Sequence, residues 1–184
     1  MEWRSDSRSE EGRQVQFRWV ALGKRTGYAA FMPPTEFRPH EVIFREVRLG
    51  APEYAAALRL REEILRQPLG LVLSAEELSV EPECRHFVAL AEREVIATLL
   101  LKPLDAQTVK MRQVAVAPAW QRSGVGAGLV RFAENVAREL GFQTIVANAR
   151  ETAVGFYRRL GYAVEGEPFL ETTIPHRRVS KRLG

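Results

Sequence analysis

The chain has 184 residues, of which 46% are hydrophobic and 27% are charged, proportions that are ordinary for a folded globular domain. No apolar run approaches the ~18 residues of a membrane-spanning helix, and the N-terminus lacks the apolar core of a secretory signal. We therefore expect no membrane partner and a cytoplasmic location, with which the single cysteine, Cys84, agrees. The net charge of +4 lies in residues 176–184, which carry four basic side chains and no acid. A solvated chain end explains this charge, and we expect no nucleic-acid partner.

Residues 1–40 differ in composition from the rest of the chain. They are rich in Arg, Ser, Glu and Gly and end in "MPPTEFRPH", where three prolines disfavour regular structure. We predict a flexible extension here, with at most one short strand in "VQFRWVAL". Met32 is a candidate for the true start of translation, and an intact mass that begins at Met1 would contradict that hypothesis.

Regular patterns begin at Glu41. "EVIFREV" alternates apolar and polar residues as a half-buried strand does. "APEYAAALRLREEILRQPLG" predicts a helix with Tyr54, Leu58 and Leu65 on its apolar stripe, and "LSAEELSV" a short helix capped by Ser74. "HFVALAEREVIATLLLKPL" predicts two strands joined by a turn around residues 92–94, and "TVKMRQVAVAP" predicts a further strand.

The second half of the chain alternates helices and strands. "GVGAGLVRFAENVARELG" predicts a helix that ends at Gly141 and whose apolar face holds Leu129, Phe132, Ala133, Val136 and Leu140. A buried strand ("FQTIVANA"), a helix closed by Gly161 ("RETAVGFYRRLG") and two strands ("YAVEGEPF" and "LETTIPHRRVSKRL") follow, the last interrupted by Pro175. This order predicts one α/β (α+β) domain over residues 41–184, with a mixed sheet of six to seven strands and helices on both faces.

The segment "VAVAPAWQRSGVGAGLV" carries glycines at every second position from Gly124 to Gly128. A nucleoside-triphosphate loop needs Gly-Lys-Ser/Thr, which is missing. A dinucleotide or methyl-donor fold needs its glycines directly after the strand and an acid after the next strand. Here residues 117–123 separate the strand from Gly124, and "IVANA" ends without an acid. Both of those classes are disfavoured.

The segment does fit an anion site at the start of a helix. The first amides of a helix lack partners and its dipole favours negative charge. We expect Gly124 and Gly126 to let the amides of residues 122–127 surround a pyrophosphate, with a charge-assisted contact from Arg122. The alternative is that the glycines only allow the helix to pack closely on the sheet.

Two motifs resemble those of the GNAT superfamily of N-acetyltransferases. The loop of that family reads Gln/Arg-x-x-Gly-x-Gly/Ala, and Gln121, Gly124 and Gly126 fill its positions. Downstream, "ANARETAVGFYRRLGY" resembles the second family segment through Ala153, Phe156, Tyr157, Gly161 and Tyr162. The ending "IPHRRVSK" is similar to the ElaA and YjcF type, with Val179 where that type usually has Met.

The resemblance implies a fold, a cosubstrate and a reaction. Such enzymes transfer the acetyl group of acetyl-CoA directly to an amine, and a splayed fourth strand binds the pantetheine arm through its backbone. The cofactor residues that we expect on this basis are Val114, Ala115, Val116, Gln121, Arg122, Ser123, Gly124, Val125, Gly126, Ala127, Asn148 and Arg150. Arg150 stands where the family commonly has Asn, and it either contacts a phosphate or caps the junction between strand and helix.

One catalytic role follows from the resemblance, and the other catalytic residues are candidates by their chemistry. Tyr157 holds the family position for the general acid that protonates the leaving thiolate. The amide of Val116 is our candidate donor to the negative charge that develops on the acetyl oxygen. His176 is the candidate general base, with Glu167 and Glu171 as alternatives, and either Arg112 or Gln113 is expected to face the substrate.

The expected acceptor is a primary amine of a small molecule or a peptide. A non-catalytic acyl-CoA-binding or sensing module of the same fold is the alternative function. Family members often pair, so a homodimer is a further expectation. No His, Cys, Asp or Glu residues show metal-ligand spacing, so we predict no metal.

Overall fold

The computed structural model describes residues 41–184, so the extension predicted for residues 1–40, its short strand and Met32 lie outside the described residues. The described strands form one mixed sheet in the order β1-β2-β3-β4-β5-β7-β6. The pair β4–β5 is parallel and the other neighbours are antiparallel. The strands are β1 (Val42–Val47), β2 (Arg85–Ala91), β3 (Glu94–Pro103), β4 (Thr108–Val116), β5 (Thr144–Arg150), β6 (Ala163–Glu171) and β7 (Ile174–Arg182).

Four α-helices connect these strands in the predicted order. They are α1 (Pro52–Leu65), α2 (Ala75–Ser79), α3 (Val125–Glu139) and α4 (Val154–Arg159), with 3₁₀ turns at Gln67–Leu69, Glu81–Glu83, Pro118–Trp120 and Glu151–Ala153. Ser74 caps α2 as predicted and forms a capping box with Glu77, which satisfies two backbone amides at the helix start.

The helices lie on both faces of the sheet, which the alternation of side chains along β2 makes clear. Phe87 and Ala89 belong to the apolar core that contains Leu129 of α3. Val88 belongs to a second cluster with Ala57 of α1. Since neighbouring residues of a strand point to opposite faces, α1 and α3 cover opposite sides. The predicted α/β class with a mixed sheet is confirmed.

Two helix faces differ from the prediction. In α1 the buried residues are Ala57, Leu60 and Arg61, whereas the predicted stripe of Tyr54, Leu58 and Leu65 is only half-buried. The reason is that Arg61, a charged residue, faces inward to a buried partner. Leu140, predicted on the apolar face of α3, is the C-cap of the helix and is 46% exposed.

The last hairpin also differs from the prediction. Its turn lies at Thr172 and Thr173, both with positive φ, so Leu170 belongs to β6 and not to the final strand. Pro175 does not interrupt β7, because it pairs with Leu170 inside the ladder. An edge or register position tolerates proline when its missing N–H is not needed by a neighbour.

Candidate functional site

The site begins where β4 and β5 separate. Their parallel pairing runs from Thr108↔Thr144 to Met111↔Ala147 and then ends. Beyond that point β4 continues along β3 as far as Val116, and β5 continues along β7 as far as Arg150. The two strands therefore diverge, and a V-shaped gap opens in the middle of the sheet.

A β-bulge in β4 lies at the mouth of this gap. Gln113 has a positive φ of 50°, which is rare for a residue other than glycine, and the register with β3 shifts between Thr98 and Leu100. A bulge bends its strand and increases the local twist. The bulge thus provides a local reason why β4 turns away from β5 after Met111.

The backbone of Val116 faces the gap. The amide of Ala117 donates to the carbonyl of Ile96 at 2.8 Å, which makes Ala97↔Val116 a non-hydrogen-bonded pair of the antiparallel ladder. The N–H and C=O of Val116 therefore point away from β3, and so do those of Val114, two residues earlier. Ala115 is the exception among the three predicted strand residues, because its register with Thr98 directs its backbone groups toward β3.

The glycine loop joins β4 to α3 through two left-handed residues. Arg122 has φ 60° and Gly124, the N-cap of α3, has φ 93°. A Cβ added to Gly126 would lie 3.1 Å from Cγ2 of Val116, so this glycine also lets α3 approach β4 closely. Conformational freedom and close packing therefore both contribute to the glycine pattern.

The start of α3 leaves amides without partners. Within residues 41–184 the Gly126 and Ala127 N–H groups donate no hydrogen bond, whereas Val125 N–H reaches the Ser123 hydroxyl at 3.4 Å. Ser123 also donates to the Trp120 carbonyl at 2.5 Å, and Gln121 donates to the Val116 carbonyl at 3.2 Å. Those two side chains stabilise the loop, while the free amides and the exposed Arg122 remain available to an anion.

A cleft of about 160 Å³ occupies the gap between β4 and β5. Tyr157 and His176, predicted from sequence as acid and base, both line it, and so does Val114, whereas Val116 does not. The complete lining is Leu65, Arg66, Glu77, Lys110, Met111, Arg112, Gln113, Val114, Asn148, Ala149, Arg150, Ala153, Tyr157, Glu171, Thr172, Ile174 and His176.

Tyr157 is only 5% exposed and reaches the cleft from α4. Its ring packs edge-on against Phe156 at 5.1 Å and Tyr162 at 5.4 Å between centroids. Burial raises the pKa of Tyr157 above the ordinary tyrosine range, because the phenolate would lose its hydration. The hydroxyl therefore stays protonated at physiological pH and can donate a hydrogen bond into the cleft.

His176 is 8% exposed, on β7 opposite Arg150. Its Nδ1 lies 2.9 Å from the Ile174 carbonyl, which can only accept, so in the neutral ring Nδ1 carries the proton and Nε2 keeps its lone pair. The Phe169 ring stacks on it at 6.2 Å. Of the alternative bases, Glu171 lines the cleft, while Glu167 is exposed and lies outside its lining.

The predicted phosphate contact of Arg150 has a competing structural use. Its Nη2 donates to the Leu65 carbonyl at 2.9 Å, so the side chain satisfies the last turn of α1. Asn148 on β5 donates to the carboxylate of Glu171 on β6. Both side chains therefore shape the wall of the cleft.

Sequence reasoning missed part of the wall. Glu77 accepts hydrogen bonds from Arg66 and, at 3.3 Å, from Nε2 of Gln113. Partial burial alone would raise the pKa of Glu77, but the hydrogen bonds from Arg66 hold this pKa below the usual range. The capping box at Ser74 identifies α2, but nothing in its spacing says that Glu77 reaches a β4 residue. Lys110 was missed as well, although Lys110 and Arg112 alternate with the apolar residues Val109 and Met111.

Comparisons with known proteins identify relatives of this sequence. The sequence model of the acetyltransferase (GNAT) family matches residues 52–162. The uncharacterized N-acetyltransferase YjcF of Bacillus subtilis is 27% identical over 126 residues, which cover 68% of this chain and 89% of that protein. No helix among the described residues is long and apolar enough to cross a membrane.

Solved structures share the fold. A GNAT family acetyltransferase from Elizabethkingia anophelis, solved with acetyl-CoA bound, superposes with a TM-score of 0.60 at 19% identity and covers 77% of this chain and 97% of its own. Escherichia coli ElaA gives a TM-score of 0.64 at 18% identity and covers 76% of this chain and 99% of its own. The closer likeness to the ElaA and YjcF type stays a prediction. With a family match over more than half of its length and the same fold, the chain belongs to the GNAT acetyltransferase family.

Proposed function

We propose that the protein transfers the acetyl group of acetyl-CoA to the primary amine of a small molecule or peptide, within a domain that comprises residues 41–184. The observation that supports this most directly is the gap between β4 and β5. It exposes the outward backbone groups of β4 and is lined by both Tyr157 and His176. Both strands continue beyond their last shared pair, β4 to Val116 and β5 to Arg150, so the gap is not simply the end of a short strand.

The chain's residues fit the cosubstrate at two places. The unpartnered amides of Gly126 and Ala127, with Arg122 beside them, suit a pyrophosphate. The outward N–H and C=O groups of Val114 and the outward N–H of Val116 suit the amides of a pantetheine arm, which would add to β4 as a strand does. A Cβ at Gly126 would push Val116, so this glycine keeps both places compatible.

When bound, acetyl-CoA supplies a thioester carbon to which the amine nitrogen bonds as the carbon–sulfur bond breaks. Nε2 of His176 accepts the proton that the amine loses. The Tyr157 hydroxyl donates to the sulfur that leaves as a thiolate and supplies its proton. One proton is thus lost by the amine and one gained by the thiol.

The developing negative charge on the acetyl oxygen needs an N–H donor. The sequence suggests the Val116 amide for this role. Because Val114 lines the cleft beside Tyr157 and Val116 does not, we propose that the Val114 amide is the donor and that Val116 holds the pantetheine arm.

The test of the chemistry is Tyr157→Phe, with release of the CoA thiol as the readout. We expect kcat to fall about 100-fold, the lower end of what a general acid contributes, with an unchanged Kd for acetyl-CoA. Tyr162→Phe is the matched control, since Tyr162 is as buried as Tyr157 but does not line the cleft. Equal losses in both variants, or an unchanged kcat in Tyr157→Phe, would refute the assignment.

A panel of amines tests the reaction itself. Thiol release that depends on the amine supports the proposal. Binding of acetyl-CoA without turnover on any amine would favour the non-catalytic acyl-CoA-binding module instead. The cytoplasmic location and the homodimer stay predictions that fractionation and light scattering can check.

A further inference from the structure

Two cationic side chains in the cleft have no role in the mechanism above. Lys110 and Arg112 lie two residues apart on β4, so they share one face of the strand, and both line the cleft. Both are half-buried. Within residues 41–184 neither has a carboxylate oxygen within 4.0 Å.

The other charged groups of the cleft are already engaged. Arg66 pairs with Glu77, and Arg150 donates to the Leu65 carbonyl. Glu171 accepts from Asn148. Asn148 is neutral and leaves the charge of Glu171 in place, so the lining carries the cations Arg66, Lys110, Arg112 and Arg150 against the two carboxylates of Glu77 and Glu171 and is positive overall.

The environment of Lys110 holds more positive than negative charge. Burial lowers the pKa of Lys110, and the nearby Arg112, Arg178 and Lys102 lower it further, while Glu171 opposes the shift only in part. Two partly desolvated cations side by side are unfavourable unless an anion binds to them.

Their position separates them from the pyrophosphate end of the site. The glycine loop follows the C-terminal end of β4, whereas Lys110 and Arg112 precede Val114 on that strand. At a rise of about 3.3 Å per residue, and with the bulge at Gln113 between them, Arg112 lies at most about 7 Å and Lys110 at most about 13 Å before Val114. An anion held by this pair would thus belong to the acceptor and not to the phosphates of the cosubstrate.

We infer that the acceptor is a primary amine that also carries an anionic group, a carboxylate or a phosphate, bound by Lys110 and Arg112. This inference rests on the proposed function, because it concerns the acceptor of the same transfer. Arg112 offers a planar guanidinium suited to two oxygens of such a group, and Lys110 adds a point charge.

Binding measurements test the inference independently of turnover. The full-length chain, saturated with CoA, is titrated calorimetrically with four probes that each contain three carbons: 3-aminopropanoate, 3-aminopropyl phosphate, propylamine and 1,3-diaminopropane. We expect one or both anionic probes to bind about 10- to 100-fold more tightly than propylamine, the range for hydrogen bonds to charged groups. Amino acids with two to six carbons between amine and carboxylate then locate the best spacing.

Three variants connect the preference to the pair. Lys110→Gln and Arg112→Gln should each remove most of the advantage of the anionic probes and leave propylamine unchanged. Lys102→Gln is the control, because Lys102 lies opposite Lys110 in the ladder but pairs with Glu83 outside the cleft. The substitution removes a positive charge near Lys110 without changing the lining of the cleft. It should preserve the preference.

The outcomes separate the two proposals. Equal or weaker binding of both anionic probes relative to propylamine overturns the inference, even if amines are acetylated. A preference that survives both Lys110→Gln and Arg112→Gln also overturns it. Tight binding of an anionic probe with no acetylation of any amine overturns the proposed function and leaves the anion site standing.

Discussion

Two regions meet at β4, and they are built by different means. The loop region, residues 114–127, presents backbone groups and holds its shape through glycines and close apolar packing. The network region consists of Tyr54, Arg61, Glu77, Glu81, His86 and Gln113 and is held by charged and polar side chains. A site that binds its ligand through backbone groups is indicated in the sequence by its glycines, whereas a region held by side-chain networks has no such motif.

The network region centres on a buried ion pair. Glu81 is 1% exposed and accepts from Arg61, itself fully buried, at 2.8 and 3.2 Å, and from the Tyr54 hydroxyl at 2.6 Å. Arg61 also donates to the side chain of Gln113. Gln113 connects the two regions, because its backbone forms the bulge and its side chain joins the network.

The largest effect should follow from breaking this pair. Glu81→Gln leaves the buried guanidinium of Arg61 without a counter-charge, which typically costs about 3–5 kcal/mol of unfolding free energy. Urea denaturation followed by circular dichroism measures the loss. The matched control is Glu83→Gln, two residues away, since Glu83 is 65% exposed in its pair with Lys102 and should cost less than about 1 kcal/mol.

A similar loss of unfolding free energy in Glu81→Gln and Glu83→Gln would contradict the importance of the buried Arg61–Glu81 pair for stability. If Glu81→Gln does not fold, the double variant Arg61→Met, Glu81→Leu replaces both charges with apolar groups of similar size. It should recover stability relative to the single variant, because no unpaired charge then stays buried.

On the loop side of β4, a steric change should have a smaller effect. A Cβ at Gly128 would lie 2.5 Å from Cζ of Phe44, a buried ring that stacks on Phe132. Gly128→Ala should cost about 1–2 kcal/mol in urea denaturation, since overpacking costs about 1–3 kcal/mol and alanine returns up to about 1 through helix propensity.

Gly155→Ala in α4 supplies the contrast. There the nearest atom is the flexible guanidinium of Arg159 at 3.6 Å, so only the propensity gain remains and the protein should become slightly more stable. If both substitutions stabilise the protein, Phe44 adapts without cost and the close packing beneath the loop is not limiting.

The same contrast explains what the sequence could reveal. The strand and helix order, the loop and Tyr157 follow from periodicity, glycine spacing and a motif, and the predicted fold class is confirmed. Arg61 was missed because an arginine inside a helix normally faces water. Its pairing with Glu81, twenty residues later, accompanies a buried face of α1 that holds Arg61 and not the predicted stripe. The stacking of Phe169 on His176 depends on the register of a hairpin whose turn, at two threonines, carries no glycine signal.

Acid should affect the network region and spare the loop region. Burial lowers the pKa of His86, which is 3% exposed and lies 3.1 Å from the Glu81 carbonyl through Nε2. The His86 ring therefore accepts a proton more easily in the unfolded chain than in the folded one. The stability that the neutral ring contributes is fully present above the ordinary histidine pKa of about 6.5 and decreases as the pH falls below it. The slope for one group is at most about 1.4 kcal/mol per pH unit.

Denaturation curves between pH 5 and 7.5 measure this slope, and His86→Gln should flatten it. No side chain in residues 114–127 titrates in that range. Acetyl-CoA affinity, measured where the protein is fully folded, should therefore change less than stability does. An equal slope in wild type and variant would assign the acid sensitivity to other groups.

The smallest effect is expected at Arg122, the one charged side chain of the loop region. Arg122 has a positive φ of 60°, a conformation that costs an ordinary residue about 1 kcal/mol and costs glycine little. Arg122→Gly should therefore stabilise the protein by up to about 1 kcal/mol and, at the same time, weaken acetyl-CoA binding severalfold if the guanidinium contacts a phosphate. Arg122→Asn tolerates the same backbone and separates lost charge from added flexibility: equal weakening in both variants assigns the effect to charge. Unchanged affinity in both would mean that the loop binds its anion through the amides alone, which is the limiting case of recognition by backbone.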